Sequence, residues 1–372
     1  MTNAPDTATD TYPSAIRVLH CIHSLDGGGA ERQVILLANA SAAAGMTAAI
    51  ACVDTNGRDN LHPDVNVYKL ARGGMLGLGI YAGITAAIVD FKPAIVHAWL
   101  PAVVTVPAML LAARHRIPSV YAYRAARRFD SPYTPIEFLI AMCCADTVLS
   151  NTPIEVCSAP FRWLYRRKHG QRIDNGVVER TERVARRPSD AGPTRLLFAG
   201  RLSAQKNWRR LLDSLPAISS RRAVTLTIFG TGPDDMALRQ HVATLGLEHL
   251  VDIVGYDPAF RDRLPQYDVL VSPSFFEGMP NVVLEAMAAG LPCVLSNIPE
   301  HREIVGPRTA SHLFDPTNTQ SLAESVIAST ASEAHMAALS AENRARGARF
   351  GVENMAMQHA RAYASLLSRP RA

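Results

Sequence analysis

No apolar run in this chain reaches the roughly 20 residues that a membrane-spanning helix needs. The longest, near Leu76–Val89 and Val103–Ala113, stop well short. Basic residues form no long block: the net charge is only +5 over 372 residues, and it is spread along the chain. Nucleic acid is therefore excluded as an expected partner. The six cysteines show no C-x-x-C pair and no metal-like spacing. Cys143 and Cys144 are adjacent, which suits a buried, reduced pair better than a disulfide framework. That reads as a cytoplasmic protein. No two aspartates stand two apart, so the Asp-x-Asp that often holds a catalytic metal is missing. No G-x-G-x-x-G follows a strand, which weakens any nicotinamide reading.

What is present is alternation. IRVLHCIHSL reads as a buried strand, and ERQVILLANASAAAG reads as the helix after it. TAAIACV, VNVYKLA, AIVHAWL, SVYAYR and DTVLSN are later strands with helices between them. The pattern restarts with RLLFAGRL, VTLTIFGT, VDIVGY, VLVSP and PCVLSN. Short apolar strands alternating with helices predict parallel sheets covered on both faces. The expected organisation is a polar, disordered tail over 1–14, an α/β domain over 15–180 and a charged linker over 181–194. A second α/β domain follows over 195–351. A last helix over 352–372 is free to pack on either half.

Ligands of such sheets bind at the carboxyl ends of the strands, so the turns there carry the candidates. In LDGGGAERQ, Gly28 and Gly29 open a helix whose free N–H groups favour an anion. A plain tight turn explains them almost as well. In FAGRLSAQKN, Gly200 precedes Arg201, and Lys206 lies five residues on. Two cations at one strand end suit a diphosphate; taken alone, solvated loop cations are the better reading. Gly230 and Gly232 flank Thr231, a G-x-G without the third glycine, which suits a simple turn before a helix as well as a ligand contact. In SFFEGMPNVVLEAMAAG, Glu277 sits in a glycine turn and Glu285 inside an apolar helix. A carboxylate there is costly to bury unless hydrogen-bonded, and a ribose diol would supply two donors. Taken alone, the pair reads as a solvated helix start.

Together these residues resemble a family. Glu277 and Glu285 as E-x7-E, Gly200-Arg201, Lys206-Asn207, the GTG turn and GGGAER are similar to the retaining glycosyltransferases of family 4. DNGVV (Asp174–Val178) resembles the element that ends that family's first domain. The resemblance runs from about Ile16 to beyond Val305. It implies the α/β GT-B fold, two Rossmann-like parallel-sheet domains facing across a cleft. It further implies that Arg201 and Lys206 bind the diphosphate of a sugar nucleotide. Glu285 would hold its ribose, and Glu277 would contact the transferred sugar. Gly278, Met279, Pro280, Asn281 and Val282 would shape the pocket, with Gly28, Gly29, Gly230 and Gly232 beside the donor. His97 matches a histidine of the family and is a catalytic candidate. The second histidine of that element is Trp99 here, and a His-Gly of the next strand is replaced around Arg124. These departures place the acceptor chemistry in doubt.

The implied activity is transfer of a sugar with retention, without cofactor or metal, to a glycan or polyprenyl-diphosphate-linked acceptor. Surface polysaccharide or glycoconjugate synthesis is the expected setting. Arg124, Arg127 and Arg128, with FRWLYRRKHGQR, form a cationic, aromatic region on the acceptor side. It reads equally as a solvated face or as a peripheral contact with an anionic membrane. A sugar-nucleotide 2-epimerase of the same fold and a non-catalytic nucleotide-sugar-binding subunit are the competing readings.

Overall fold

The computed structural model describes residues 16–72, 77–100, 103–124, 134–152, 159–179 and 192–369. The chain divides into two compact units: Met1–Gly176 with Val352–Ala372, and Val177–Gly351.

Unit 1 begins with β1 (Arg17–Cys21), α1 (Gly29–Ala43), β2 (Thr47–Cys52), β3 (Asn66–Lys69) and α2 (Leu78–Phe91). It continues with β4 (Ile95–Trp99), α3 (Thr105–Arg114), β5 (Ser119–Tyr123), α4 (Thr134–Cys144), β6 (Thr147–Ser150), α5 (Ala159–Arg167) and β7 (Gln171–Arg172). The strands form one sheet in the order β3-β2-β1-β4-β5-β6-β7. Every described pairing in it is parallel. Side chains alternate between faces, as a pleated strand requires. Val18, Ile50, Ile95 and Val120 pack into one core. Leu19, Ala49, Val96 and Tyr121 pack into the other. Both faces are apolar, which is why these strands read as continuous hydrophobic runs.

Unit 2 repeats the plan. It holds β8 (Thr194–Ala199), α6 (Trp208–Ser219), β9 (Val224–Phe229), α7 (Asp235–Thr244), β10 (Val251–Gly255) and β11 (Val269–Ser272). Then come α8 (Asn281–Ala288), β12 (Cys293–Leu295), α9 (Pro299–Ile304), α10 (Pro307–Ala310), α11 (Thr319–Ser329) and α12 (Glu333–Gly347). Its parallel sheet runs β10-β9-β8-β11-β12. Leu196, Phe198 and Ile228 face one core, and Leu197, Phe229 and Leu270 face the other. The chain then returns to unit 1 through α13 (Val352–Leu367), whose Met355, Ala356 and Tyr363 share a core with Val34 and Leu37 of α1.

Three sequence expectations change. The first unit ends at Gly176, not at 180: Val177 is buried, its N–H donates to Phe350 O at 2.8 Å, and it packs in a unit 2 core. Thr194, assigned to the linker, opens β8. Cys143 is exposed and Cys144 only half-buried, so the pair is not a core pair. The N-terminal tail and residues 181–191 of the linker lie outside the described residues. Among the described residues, no helix is long and apolar enough to cross a membrane.

Candidate functional site

Each strand order reverses once, between β1 and β4 in unit 1 and between β8 and β11 in unit 2. A crevice at the carboxyl ends of the strands is expected at such a reversal. In unit 2 the chain leaves β8 through Gly200, whose φ of 151° is open chiefly to glycine. The aliphatic stem of Lys206 lies over Gly200, so that a methyl there would sit 3.2 Å from Lys206 Cε. A short 3₁₀ turn, Ala204–Lys206, ends at Asn207 with φ 52°. Asparagine tolerates this left-handed conformation. Asn207 Nδ2 donates to Pro273 O at 3.0 Å and to Pro316 O at 2.8 Å. Gln205 Nε2 donates to Phe276 O at 2.7 Å, and Phe275 N donates to Gln205 O at 2.9 Å. The β8 turn is thus sewn to the loop after β11.

That stitching brings Lys206 to Glu277. Lys206 Nζ lies 2.7 Å from Glu277 Oε1. Ser274 Oγ donates to the same oxygen at 2.6 Å. Glu277 is only 5% exposed. Burial pushes its pKa up, but the Lys206 ammonium, the Ser274 hydroxyl and His301 outweigh it and hold the carboxyl below its usual value. Glu277 is therefore an anion at neutral pH. Glu285, on α8, is also buried, at 6%. Arg261 Nε donates to its Oε1 at 2.7 Å. Neither glutamate belongs to a solvated helix start. Arg201 is exposed and makes no ion pair among the described residues. Met279 and Pro280 are buried, while Gly278, Asn281 and Val282 are half-buried at the start of α8.

Two glycines have a local cause. A methyl on Gly230 would clash with the carbonyl of Gly200, and one on Gly232 with the backbone of Leu202. They let the ends of β8 and β9 close on each other, which accounts for the GTG turn without a ligand. Gly28 is likewise covered, because the Glu31 carboxylate folds back over it. That carboxylate accepts from the Ala30 and Glu31 backbone N–H groups. The Glu31 side chain thus lies where an anion is expected at the start of α1, and burial raises its pKa.

In unit 1, His97 is fully buried. Its ring stacks on Trp99, with centroids 4.6 Å apart, and its Nδ1 lies 2.7 Å from the Tyr363 hydroxyl of α13. His20, its register partner on β1, accepts from Trp99 Nε1 at 3.2 Å. Burial, aided by neighbouring cationic and imidazole groups, holds the His97 pKa well below its usual value. An open strand-end base is therefore not what the chain builds there: His97 is a packed, neutral ring. Arg124 lies over the Trp99 ring at 4.4 Å and donates to Asn175 Oδ1. Arg127 and Arg128 lie outside the described residues.

Sequence reasoning missed Arg261, Ser274, Ser296, His301, His359 and Tyr363. The first carries no motif, the serines are too common to stand out, and α13 is far from β4 in sequence.

The architecture is that of known structures. HepE of Anabaena, solved in complex with UDP, superposes with a TM-score of 0.74 at 20% identity, over 94% of this chain and 100% of that one. Sucrose-phosphate synthase from Thermosynechococcus elongatus gives 0.77 at 19% identity, over 95% and 99%. The fold is GT-B, two Rossmann-like parallel-sheet domains. Residues 193–331 match the family model described as glycosyl transferases group 1. That match contains Gly200, Lys206, Glu277 and Glu285. The 2-deoxystreptamine glucosyltransferase of Streptomyces kanamyceticus is 30% identical over 154 residues, 40% of this chain and 39% of that protein. The O-antigen chain mannosyltransferase B of Escherichia coli is 30% identical over 174 residues, 45% of each chain. The chain thus spans less than half the length of these curated relatives.

Proposed function

We propose that the protein is a group 1 glycosyltransferase. It moves a sugar from a nucleotide-diphosphate sugar to a glycan or lipid-linked acceptor, in the synthesis of a polysaccharide or glycoconjugate. The observation that carries this is the placement of Lys206, Glu277 and Glu285 around the β8–β11 reversal, inside the segment that matches the family. Two buried carboxylates, each matched to a cation, are costly to maintain for stability alone. They make chemical sense as groups awaiting a polyhydroxyl, anionic ligand.

In this reading, Arg201 and Lys206 neutralise the diphosphate as the glycosidic bond breaks. Preorganised cations and the α8 N-terminus stabilise the leaving group without a metal. Glu285 accepts from the ribose hydroxyls, and Glu277 from the transferred sugar. Lys206 then exchanges part of its contact with Glu277 for phosphate oxygen. Retention follows from the likeness to family 4: the acceptor hydroxyl attacks on the face that the diphosphate leaves. UDP is the first nucleotide to try, because HepE was solved with UDP and with UDP-glucose. A peripheral membrane contact belongs to the same proposal. Trp163 on α5 is 63% exposed beside Arg166 and Arg167, and Leu139 on α4 is 56% exposed. Such a face suits an anionic bilayer that presents a lipid-linked acceptor at the cytoplasmic surface.

The test is a thermal-shift screen of UDP- and GDP-sugars, followed by release of the nucleoside diphosphate in excess EDTA. Stabilisation by one sugar nucleotide and its turnover with EDTA present are expected. No stabilisation by any member would overturn the reading. Turnover restored only by magnesium or manganese would overturn its metal-free part. Sugar inversion at C2 without acceptor would mark a 2-epimerase instead.

A further inference from the structure

We propose that His301, Ser296 and Ser274 form a buried hydrogen-bond relay that positions Glu277. The role assigned to Glu277 rests on the function proposed above; the relay itself rests on geometry. All three side chains are 0% exposed. His301 Nδ1 lies 2.9 Å from Ser296 O. A carbonyl only accepts, so the proton sits on Nδ1. Ser296 Oγ donates to Ser274 O at 2.6 Å. Ser274 Oγ donates to Glu277 Oε1 at 2.6 Å, beside Lys206 Nζ.

The path crosses the sheet edge from the end of β12 to the end of β11, and then reaches the loop after it. In each link the donor lies on the His301 side; the first two acceptors are the main-chain carbonyls of Ser296 and Ser274, and His301 Nδ1 also lies 3.2 Å from Ser296 Oγ. His301 stays neutral: burial brings its pKa to about 4, against the pull of Glu277. Its Nε2 is buried with no hydrogen-bond partner among the described residues. An unsatisfied buried nitrogen is a cost that folded proteins seldom accept. A purely apolar side chain would fill that space without it. The imidazole is placed for its Nδ1–H, which holds Ser296; Ser296 Oγ in turn holds the Ser274 carbonyl, and so the main chain from which the hydroxyl that bonds Glu277 projects.

The relay ends on the carboxylate assigned to the sugar; Lys206, assigned to the diphosphate, pairs with that carboxylate but takes no hydrogen bond from the relay itself. Removing a link should therefore separate turnover from nucleotide binding. In His301→Leu, Ser296→Ala and Ser274→Ala, release of nucleoside diphosphate from the sugar nucleotide should fall on the order of tenfold in kcat, because the carboxylate loses orientation. Affinity for the free nucleoside diphosphate, UDP or GDP by calorimetry, should stay within about twofold, since that ligand lacks the sugar. His301→Asn can place an amide N–H near the position of Nδ1 and should recover most of the lost rate. If His301→Asn is as impaired as His301→Leu, or if nucleotide affinity falls in step with rate, His301 only fills space and the relay is wrong. A second readout needs no activity: titration of the Glu277 carboxyl by ¹³C NMR. Its midpoint should rise in Ser274→Ala and His301→Leu and return in His301→Asn. An unmoved midpoint in both refutes the relay even in an active enzyme. A wild-type protein that turns over no sugar nucleotide refutes the parent function while the NMR arm still decides the relay.

Discussion

Lys206→Ala is the most informative substitution, because it separates a pairing role from a surface role. In the native chain Glu277 keeps 7% of its side-chain surface and Lys206 19%. Removing the lysine leaves a buried anion whose remaining strong support is Ser274. Breaking one side of a buried pair costs about 3–5 kcal/mol. The partial exposure of Lys206 argues for the lower end, about 3 kcal/mol. For a unit of this size that is a fall of about 6–12 °C in the melting transition.

The pH dependence supplies the sign. The folded-state pKa of Glu277 is depressed, so the pair's contribution is present above the ordinary carboxylate value of 4.5 and is lost as pH falls through the folded value. Without Lys206, burial dominates and the folded pKa moves above 4.5. The variant then gains relative stability as pH falls, because protonation removes the buried charge. The gap in melting temperature between wild type and Lys206→Ala should be widest near about pH 7.5 and close toward about pH 4.5. Adding Glu277→Gln to Lys206→Ala should recover stability at neutral pH. Calorimetry or circular dichroism melts across that range decide it. An equal deficit at both ends, with no recovery in the double variant, would show that the ion pair is a surface feature and that the burial argument fails.

Glu285→Ala should weaken binding of the free nucleoside diphosphate by about 1.5–3 kcal/mol, as for a charged hydrogen bond. Glu277→Ala should leave that binding nearly unchanged; calorimetric titration of both separates ribose from sugar contact. Gly230→Ala should destabilise unit 2 by about 2 kcal/mol or more, because φ is 127° and the methyl meets Gly200 O; urea unfolding measures it. His20 and His359 are held by burial to pKa values of about 3, and His97 well below its usual value. Because these imidazoles fold neutral, their contribution is complete above the ordinary value of 6.5 and is lost as pH falls below it. Unit 1 should therefore melt progressively earlier below about pH 6.5, and less steeply in His359→Phe. A double-mutant cycle of Trp99→Leu with Arg124→Met should give a coupling of about 1 kcal/mol from the stacked guanidinium; melts of all four proteins measure it.

What could be read from sequence follows from how local each feature is. β–α alternation is a short-range pattern, and both parallel sheets follow from it. Glu277 and Glu285 occupy one turn and one helix, so their burial together is within reach of a motif. Arg261, by contrast, lies 24 residues from Glu285 in a 3₁₀ turn with no signature. The relay joins Ser274, Ser296 and His301 through a backbone carbonyl at each step, and a backbone contact leaves no mark on residue type. The glycines have a local cause that sequence does not show. Gly230 and Gly232 suggest a ligand turn, but the neighbour that demands them is another stretch of main chain. The Gly28 turn points to an anion, and the side chain that lies over it is Glu31, three residues further on.

The same logic recasts the two departures from the family pattern. Read one at a time, Trp99 in place of a histidine and Arg124 in place of a His-Gly look like separate losses. In the fold they touch: the Arg124 guanidinium lies 4.4 Å from the Trp99 ring centroid, and Asn175 of the DNGVV stretch accepts from it. Asn151 Nδ2 donates to the same Asn175 oxygen at 3.0 Å. Trp99 in turn donates to His20 and stacks on His97, which is fixed by Tyr363 from α13. An arginine suits this place where a lysine would not, because its planar head can stack and donate at once. Burial lowers its pKa only to about 10, so it remains a cation at neutral pH. Among the described residues, the ends of β4 and β5 therefore hold a guanidinium over an indole, with the neutral imidazoles of His20, His97 and, from α13, His359 beside it. The C-terminal helix is part of that arrangement rather than an appendage to it. Where the pattern that the sequence resembles has histidines, the ends of β4 and β5 thus place an indole and a permanent cation in contact.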